Sequence, residues 1–582
     1  MISATLAYAL CNASDPAQLN FAFVNGTVRK GADCVSFDLA GATYNAPLTL
    51  RPCDGSAQQS WVFDSASGSI RNEAPSCGGL SGACIEWSGQ EHGACTFTPP
   101  TLGAGCIVGA WPSPPGAATS WNDRFVPPAA TTIAAASTSA SSGLCVAALP
   151  VPPPPTPTAE VLAWSRKEIM CLYDFDMCTF AGPSQGCQCS AAPPPASAWA
   201  PSALDTDSWI AAGTSAGCKI HILVAKHMCG FLTWNSTSSA ALGYNYSTAY
   251  SATPVDAVAA FVQSGRRAGV ALGMYYSLTN NARTNTCGGT ILPNPAPGQI
   301  AVTLEQYDDI VLQHLEELWG NYGDLEELWF DGGSMPTLSA KLPALIARLQ
   351  PHAVGFNAAG LMPRPTRWIG SESGFAPYPT YSTADLGADG AGSPTSAYWI
   401  PPETDFTVQN RDSWFYDATI GVRPAAQLRA MYEASVGHNS QALIGIGIPP
   451  NGTVAGTLQA AALAGLGSYI SACYGTPLLE TSGVGSVFFL MPSGPLPNVD
   501  RIVIAEDQTL GQRVRAYTID AQFSNGTVAR VDNGTSVGNK KITVYAAALT
   551  DVAMVTLNFT TSIATPQLRQ FAIFAGCNDI AY

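Results

Sequence analysis

The chain has 582 residues, 47% of them hydrophobic, which is too long for one core and rich enough for several. Only 12% are charged and the net charge is −15, which excludes the basic face that nucleic acid or an anionic membrane surface requires. Among the 17 cysteines no paired CxxC knuckles occur, and the six histidines form no ligand-spaced pair, so neither a metal nor a cofactor is expected.

Eight cysteines precede residue 150, eight lie between Cys171 and Cys473, and Cys577 stands near the end. Asn-x-Ser/Thr acceptors occur at Asn12, Asn25, Asn235, Asn245, Asn451, Asn525, Asn533 and Asn558. Together these predict a disulfide-bonded, glycosylated protein that is secreted or held in a lysosome- or vacuole-like compartment. The odd cysteine count leaves one thiol free or intermolecular. The start, Met1–Ser14, has no basic leader region, so the chain reads as a mature form. Leu458–Gly475 is the most apolar stretch, but its Gly, Ser and Tyr content suits a buried helix better than a membrane span.

Residues 1–148 carry short strand-like runs among Cys, Gly, Ser and Thr. Leu149–Thr158, "LPVPPPPTPT", is a stiff polyproline spacer. Over 159–480 strand and helix patterns alternate: "KIHILVAK", then the helical "PVDAVAAFVQSGRRAG", the strand "VALGMYYS", the helix "LEQYDDIVLQHLEELWGNYG", and the strand "LEELWF". Such alternation predicts parallel βαβ units closing into a (β/α)8-like barrel. Over 481–582 the pattern changes to alternating β-runs such as "RIVIAEDQ" and "KKITVYAAAL", which predicts a C-terminal β-sandwich.

"LEELWFDGG" (Leu325–Gly333) ends an apolar run on an acid and two glycines, as a buried strand does when it leaves a barrel at its chemical end. Asp331 is therefore either a turn residue or a rigidly held catalytic carboxylate. Glu372 lies in a Gly/Ser/Pro loop bracketed by Trp368, Phe375, Tyr378 and Tyr381, surroundings expected to desolvate it and favour a protonated acid.

Four segments in order, "AGCKIHILVAKHMCGFLTWNS", "VAAFVQSGRRAGVALGMYYS", "NYGDLEELWFDGG" and "RWIGSESGFAPYPTYST", resemble the glycoside hydrolases of family 29, the α-L-fucosidases. The resemblance spans about Val161 to Gly475. It implies Asp331 as nucleophile and Glu372 as acid/base of a retaining exo-glycosidase, with Glu403 of "PPETDF" as the rival acid. Such a pair of carboxyls stands about 5–5.5 Å apart. It further implies sugar contacts from His227, Trp234 and Tyr276, and Trp368 beside Glu372 is expected to offer the sugar an aromatic platform.

Two departures from the family pattern fall at the pocket. The family's second His and its Asp are here Met228 and Cys229, and its His-Phe-Gly stretch is here "MCLYDFDMCTF", with Asp174, Asp176 and Cys178 in the matching places. Asp174 is expected to accept hydrogen bonds from sugar hydroxyls in place of the missing His, and Met228 to open an adaptable apolar patch. A Cys178–Cys229 disulfide would fix both pocket segments. The substrate is then a terminal α-L-fucosyl-type glycan residue, or an L-galactosyl or modified fucosyl relative. The competing reading is a non-catalytic carbohydrate-binding or cell-wall protein on a degenerate fucosidase fold.

The first 150 residues also resemble the ricin-type β-trefoil lectin repeat, best at "LTLRPCDGSAQQSWVFDSASGSIRN" and loosely elsewhere. That resemblance implies Cys34–Cys53, Cys84–Cys106 and Cys11–Cys145 disulfides and a possible glycan ligand for this domain. A generic disulfide-rich β domain is the alternative.

Overall fold

The structure, a computed structural model, describes residues 154–580 except 183–187 and 411–412, and the backbone of ten short strands between Phe21 and Pro112. It divides into two compact units, Met1–Pro150 and Val151–Tyr582. In the first unit the ten strands pair antiparallel in sheets of six and four. The pairings Cys34–Cys53, Cys84–Cys106 and Cys11–Cys145, and the acceptors Asn12 and Asn25, fall outside the described residues.

The second unit holds a closed barrel of eight parallel strands: β1 (Ile169–Asp174), β2 (Ile220–Lys226), β3 (Ala271–Tyr276), β4 (Glu327–Trp329), β5 (Val354–Phe356), β6 (Pro365–Trp368), β7 (Pro402–Thr407) and β8 (Gln441–Gly447). β8 pairs back onto β1, Ile169 opposite Ala442 through Asp174 opposite Gly447. Helices wrap the outside, among them α1 (Ala159–Ser165), α2 (Met177–Ala181), α3 (Thr206–Ala216), α4 (Ala257–Ala268), α5 (Leu304–Gly320), α6 (Pro336–Leu349), α7 (Ala425–Ser435) and α8 (Leu458–Tyr474). Their starts follow the capping rule: Asp205, Asp256 and Thr457 each accept a first-turn backbone N–H, and Thr303 forms a capping box with Gln306.

Strand alternation sorts the barrel into two cores. Met170, Leu172, Ile220, Ile222, Val224, Tyr275, Trp329 and Leu443 fill the interior. Their neighbours Cys171, Tyr173, Leu223, Tyr276, Leu328 and Ile444 face the helical shell. Parity then carries Asp174, Asp331, Asp405 and Lys226 to the inner, C-terminal mouth.

After α8 comes a sandwich of two four-stranded antiparallel sheets. One orders β9 (Leu479–Val484), β16 (Gln567–Phe574), β11 (Val499–Glu506) and β14 (Lys541–Leu549). The other orders β10 (Val487–Leu490), β15 (Val552–Ser562), β12 (Val514–Phe523) and β13 (Val528–Gly534). Ile502, Ile504, Ile519, Leu557 and Phe571 pack between the sheets. The sandwich is joined to the barrel: Tyr378 Oη donates to Ser536 O at 2.8 Å, the largely buried Arg501 pairs with Glu433 of α7 at 2.7 Å, and Cys473 of α8 is disulfide-bonded to Cys577. No helix among the described residues is long and apolar enough to cross a membrane.

Candidate active site

β4 ends at Trp329, and two residues on Asp331 emerges at the mouth of the barrel. The glycines after it are required: Gly332 and Gly333 adopt φ of 68° and 72°, and a Cβ on Gly332 would approach Thr279 Oγ1 to 3.1 Å. Tyr275, at the end of the neighbouring β3, donates its hydroxyl to Asp331 Oδ2 at 2.7 Å. Burial pushes the Asp331 carboxyl above its ordinary range, while the Tyr275 hydroxyl and the charge of Lys226 pull it back.

Lys226 is fully buried at the end of β2 and donates to the carbonyls of Ser277 and Asn280. Burial lowers its ammonium to about 7, opposed by Cys229, Asp176 and Asp331. Its neighbour His227 is half-buried, stacked on Tyr275 with centroids 5.7 Å apart and edge-on to Phe415 at 5.0 Å. Burial, then Lys226, lowers the imidazole to about 3, so His227 is neutral and offers one donor and one acceptor.

Three further carboxyls share this mouth. Asp174, 2% exposed, leaves Oδ2 without a protein partner; burial raises its pKa well above the ordinary value, and Asp176 and Glu372 raise it further. Asp405 accepts from Trp368 Nε1 at 2.9 Å and is raised by burial and by the charges of Glu372 and Asp331. Glu372 is exposed, and its Oε2 accepts from Trp414 Nε1 at 3.1 Å. The aromatic bracket expected around Glu372 is thus corrected: Tyr378 and Tyr381 bond to Ser536 and Thr535 of the sandwich, and Trp414, from a distant loop, meets the carboxylate.

Other expectations are corrected by placement. Tyr276 faces the helical shell, its hydroxyl 2.9 Å from His314 Nδ1, so Tyr275 and not Tyr276 reaches the site. Trp234 is buried outside the barrel, its Nε1 donating to Glu317 Oε2 at 3.0 Å. Glu403 lies one layer below the mouth and is fully buried, accepting from Trp329 Nε1 at 2.8 Å and hydrogen-bonded to Glu327. Glu327 in turn accepts from Trp164 Nε1 at 2.8 Å. Two carboxyls sealed against each other share a proton, and burial raises both. Glu403 has no path to a leaving group. Met228 is half-buried and packs against the shell core.

The Cys178–Cys229 bridge is also overturned. Cys229 is a free, buried thiol donating to Asp176 Oδ2 at 2.8 Å, whereas Cys178 is disulfide-bonded elsewhere. The other bridges among the described residues, besides Cys473–Cys577, are Cys171–Cys218 and Cys189–Cys287. Asp176, Cys178 and His227 bring ligand-type atoms within 4.8 Å of one another, but a disulfide sulfur is no thiolate, so this grouping does not fit a metal ion. Sequence reasoning missed Tyr275, Asp405 and Trp414. Strand parity with Asp331 was a signal for the first two, and Trp414 had none.

Residues 193–475 match the family model described as Alpha-L-fucosidase. The barrel is a family 29 glycoside hydrolase domain. A rice protein provisionally named alpha-L-fucosidase 1 (Oryza sativa subsp. japonica) is 32% identical over 320 residues, covering 52% of this chain and 56% of the relative. Alpha-L-fucosidase 1 of Arabidopsis thaliana is 28% identical over 319 residues, covering 52% and 57%. The chain thus spans little more than half the length of these curated relatives. Among solved structures, a Bacteroides thetaiotaomicron protein provisionally named an alpha-L-fucosidase aligns with TM-score 0.64 and 25% identity over 72% of this chain and 99% of that one. A Ruminococcus gnavus GH29 fucosidase in complex with fucose aligns with TM-score 0.59 and 19% identity over 73% and 96%, a likeness of fold.

Proposed function

We propose that the protein is a retaining exo-glycosidase that removes terminal α-L-fucosyl-type residues from glycans. The observation that carries this reading is Asp331, fixed at the end of β4 by the Tyr275 hydroxyl, with Glu372 over the same mouth. Because Oδ2 is held by Tyr275, Oδ1 is the oxygen left to attack. Its bond to the anomeric carbon forms as the glycosidic C–O bond breaks, and the leaving oxygen takes the proton of Glu372. Glu372, now a carboxylate, takes a proton from water; the hydroxide oxygen replaces Asp331 at the anomeric carbon, and both carboxyls return to their starting states.

Neutral His227 and the unpartnered oxygen of Asp174 suit hydrogen-bonding to sugar hydroxyls, and the indole of Trp368 offers an apolar face. The bridges and the exposed acceptors Asn235, Asn245, Asn451, Asn525 and Asn533 support a secreted or vacuolar location; Asn558 is half-buried in β15.

Turnover of an aryl α-L-fucoside tests the reading. Asp331→Ala should abolish it and added azide should restore it as a fucosyl azide of inverted configuration. An Asp331→Ala enzyme with full activity would overturn the assignment. Glycan binding without turnover of fucosides or L-galactosides would favour the non-catalytic alternative.

A further inference from the structure

We propose that Trp414 is a positioning residue for Glu372, seated by two glycines of β8 that exist to make room for it. This rests on the reading of Glu372 as acid/base. Glu372 stands on an exposed loop, where a carboxylate left to itself samples many rotamers. Trp414 Nε1, a donor with no acceptor alternative, meets its Oε2 at 3.1 Å. The bond holds Oε2 and with it fixes the direction in which the carboxyl faces.

What holds Trp414 is the bare backbone of β8. Gly445 and Gly447 share inward parity with Leu443, and neither has the left-handed φ that would call for glycine. In mid-strand a glycine weakens β structure, so proximity is the reason for it here. A Cβ on Gly445 would come within 2.6 Å of Trp414 Cε3 and Cζ3. A Cβ on Gly447 would come within 2.6 Å of Tyr416 N and 2.9 Å of both Trp414 O and Phe415 C. The segment 414–416 therefore lies directly on the inner face of β8. The next residue, Phe415, sets its ring edge-on against His227. One seated segment thus supports both the acid/base and a sugar contact, from a strand that supplies no catalytic side chain of its own.

The test is a set of aryl α-L-fucosides graded from dinitrophenyl to unsubstituted phenyl, with kcat/KM measured for wild type, Trp414→Phe, Gly445→Ala and Glu372→Ala. Protonation matters little when the leaving group is a good one and much when it is poor. Loss of one hydrogen bond to a charged group should slow the phenyl glycoside about tenfold or more, while the dinitrophenyl glycoside changes by about threefold at most. Trp414→Phe and Gly445→Ala, on different elements, should steepen the dependence alike. Equal loss across the series in a folded Trp414→Phe enzyme, or no loss, would overturn the proposal. If Glu372→Ala itself left the dependence unchanged, the acid/base assignment would fail instead. Thermal melting of each variant separates misfolding from mispositioning. Trp414→Phe keeps an aromatic ring at this position and removes the donor, so, once melting shows it folded, it decides the matter even if Gly445→Ala does not fold.

Discussion

Tyr275 and Asp331 are joined by a 2.7 Å hydrogen bond between the ends of adjacent strands, and Tyr275 is stacked in turn on Trp329, with centroids 5.0 Å apart. Asp331 is therefore braced by the barrel core and not by a loop. Tyr275→Phe keeps the stack and removes the donor. Because the hydroxyl lowers a carboxyl already raised by burial, its loss raises Asp331 further, and the acidic limb of kcat/KM moves to higher pH. A loss of about ten- to a hundredfold in kcat/KM at neutral pH accompanies it. An unmoved acidic limb would count against Asp331 as the titrating nucleophile.

The adjacent Tyr276 gives the opposite outcome. Tyr276→Phe strips a buried partner from His314, whose ring is also packed edge-on to Tyr244 at 4.7 Å. Chemical denaturation should show about 1–3 kcal/mol of lost stability. The KM for an aryl fucoside should stay at its wild-type value, since the side chain lies outside the barrel.

Glu403→Gln replaces a proton-sharing carboxyl with a neutral amide that can still accept from Trp329 and donate to Glu327. The folded pKa of Glu403 lies above its ordinary 4.5, so the native state holds a proton that the unfolded chain has released. Wild type therefore loses stability as pH climbs from 4.5 toward the folded pKa, whereas the amide variant keeps only the smaller loss that buried Glu327 contributes. The melting temperature of Glu403→Gln minus that of wild type should grow with pH across this window. A constant difference would mean that the pair does not share a proton.

Peptide mapping without reduction should recover Cys171–Cys218, Cys189–Cys287 and Cys473–Cys577, with Cys229 as a thiol. Cys229 is fully buried, so alkylating reagent should reach it only after denaturation. Labelling of the native protein at Cys229 would contradict the packing around Asp176.

The barrel was legible because its strands are buried on both faces and its helices carry strong caps, as in Thr303 with Gln306. The Asp-Gly-Gly break alone left Asp331 either a turn residue or a catalytic carboxylate, and only its position at the strand end was legible from the run. Choosing Tyr276 over Tyr275 was an error of parity: in a "MYY" strand end, one residue of slip exchanges the pocket for the shell. Glu403 shares inward parity with Asp405, and only its depth along β7 separates a buried pair from the mouth. Trp234 and the aromatics near Glu372 show a second limit. Nearness in sequence says little about which side chain a loop residue meets, and Trp414 lies 42 positions from Glu372.

The Cys473–Cys577 bridge closes a loop of 104 residues around the sandwich. In a chain-entropy view a loop of that size adds about 4.7 kcal/mol against unfolding. It also makes the connection redundant. A protease that cuts between α8 and β9 would leave the sandwich tethered beside α7, where Arg501 still meets Glu433. Barrel and sandwich then remain one molecule after a nick that would otherwise make two.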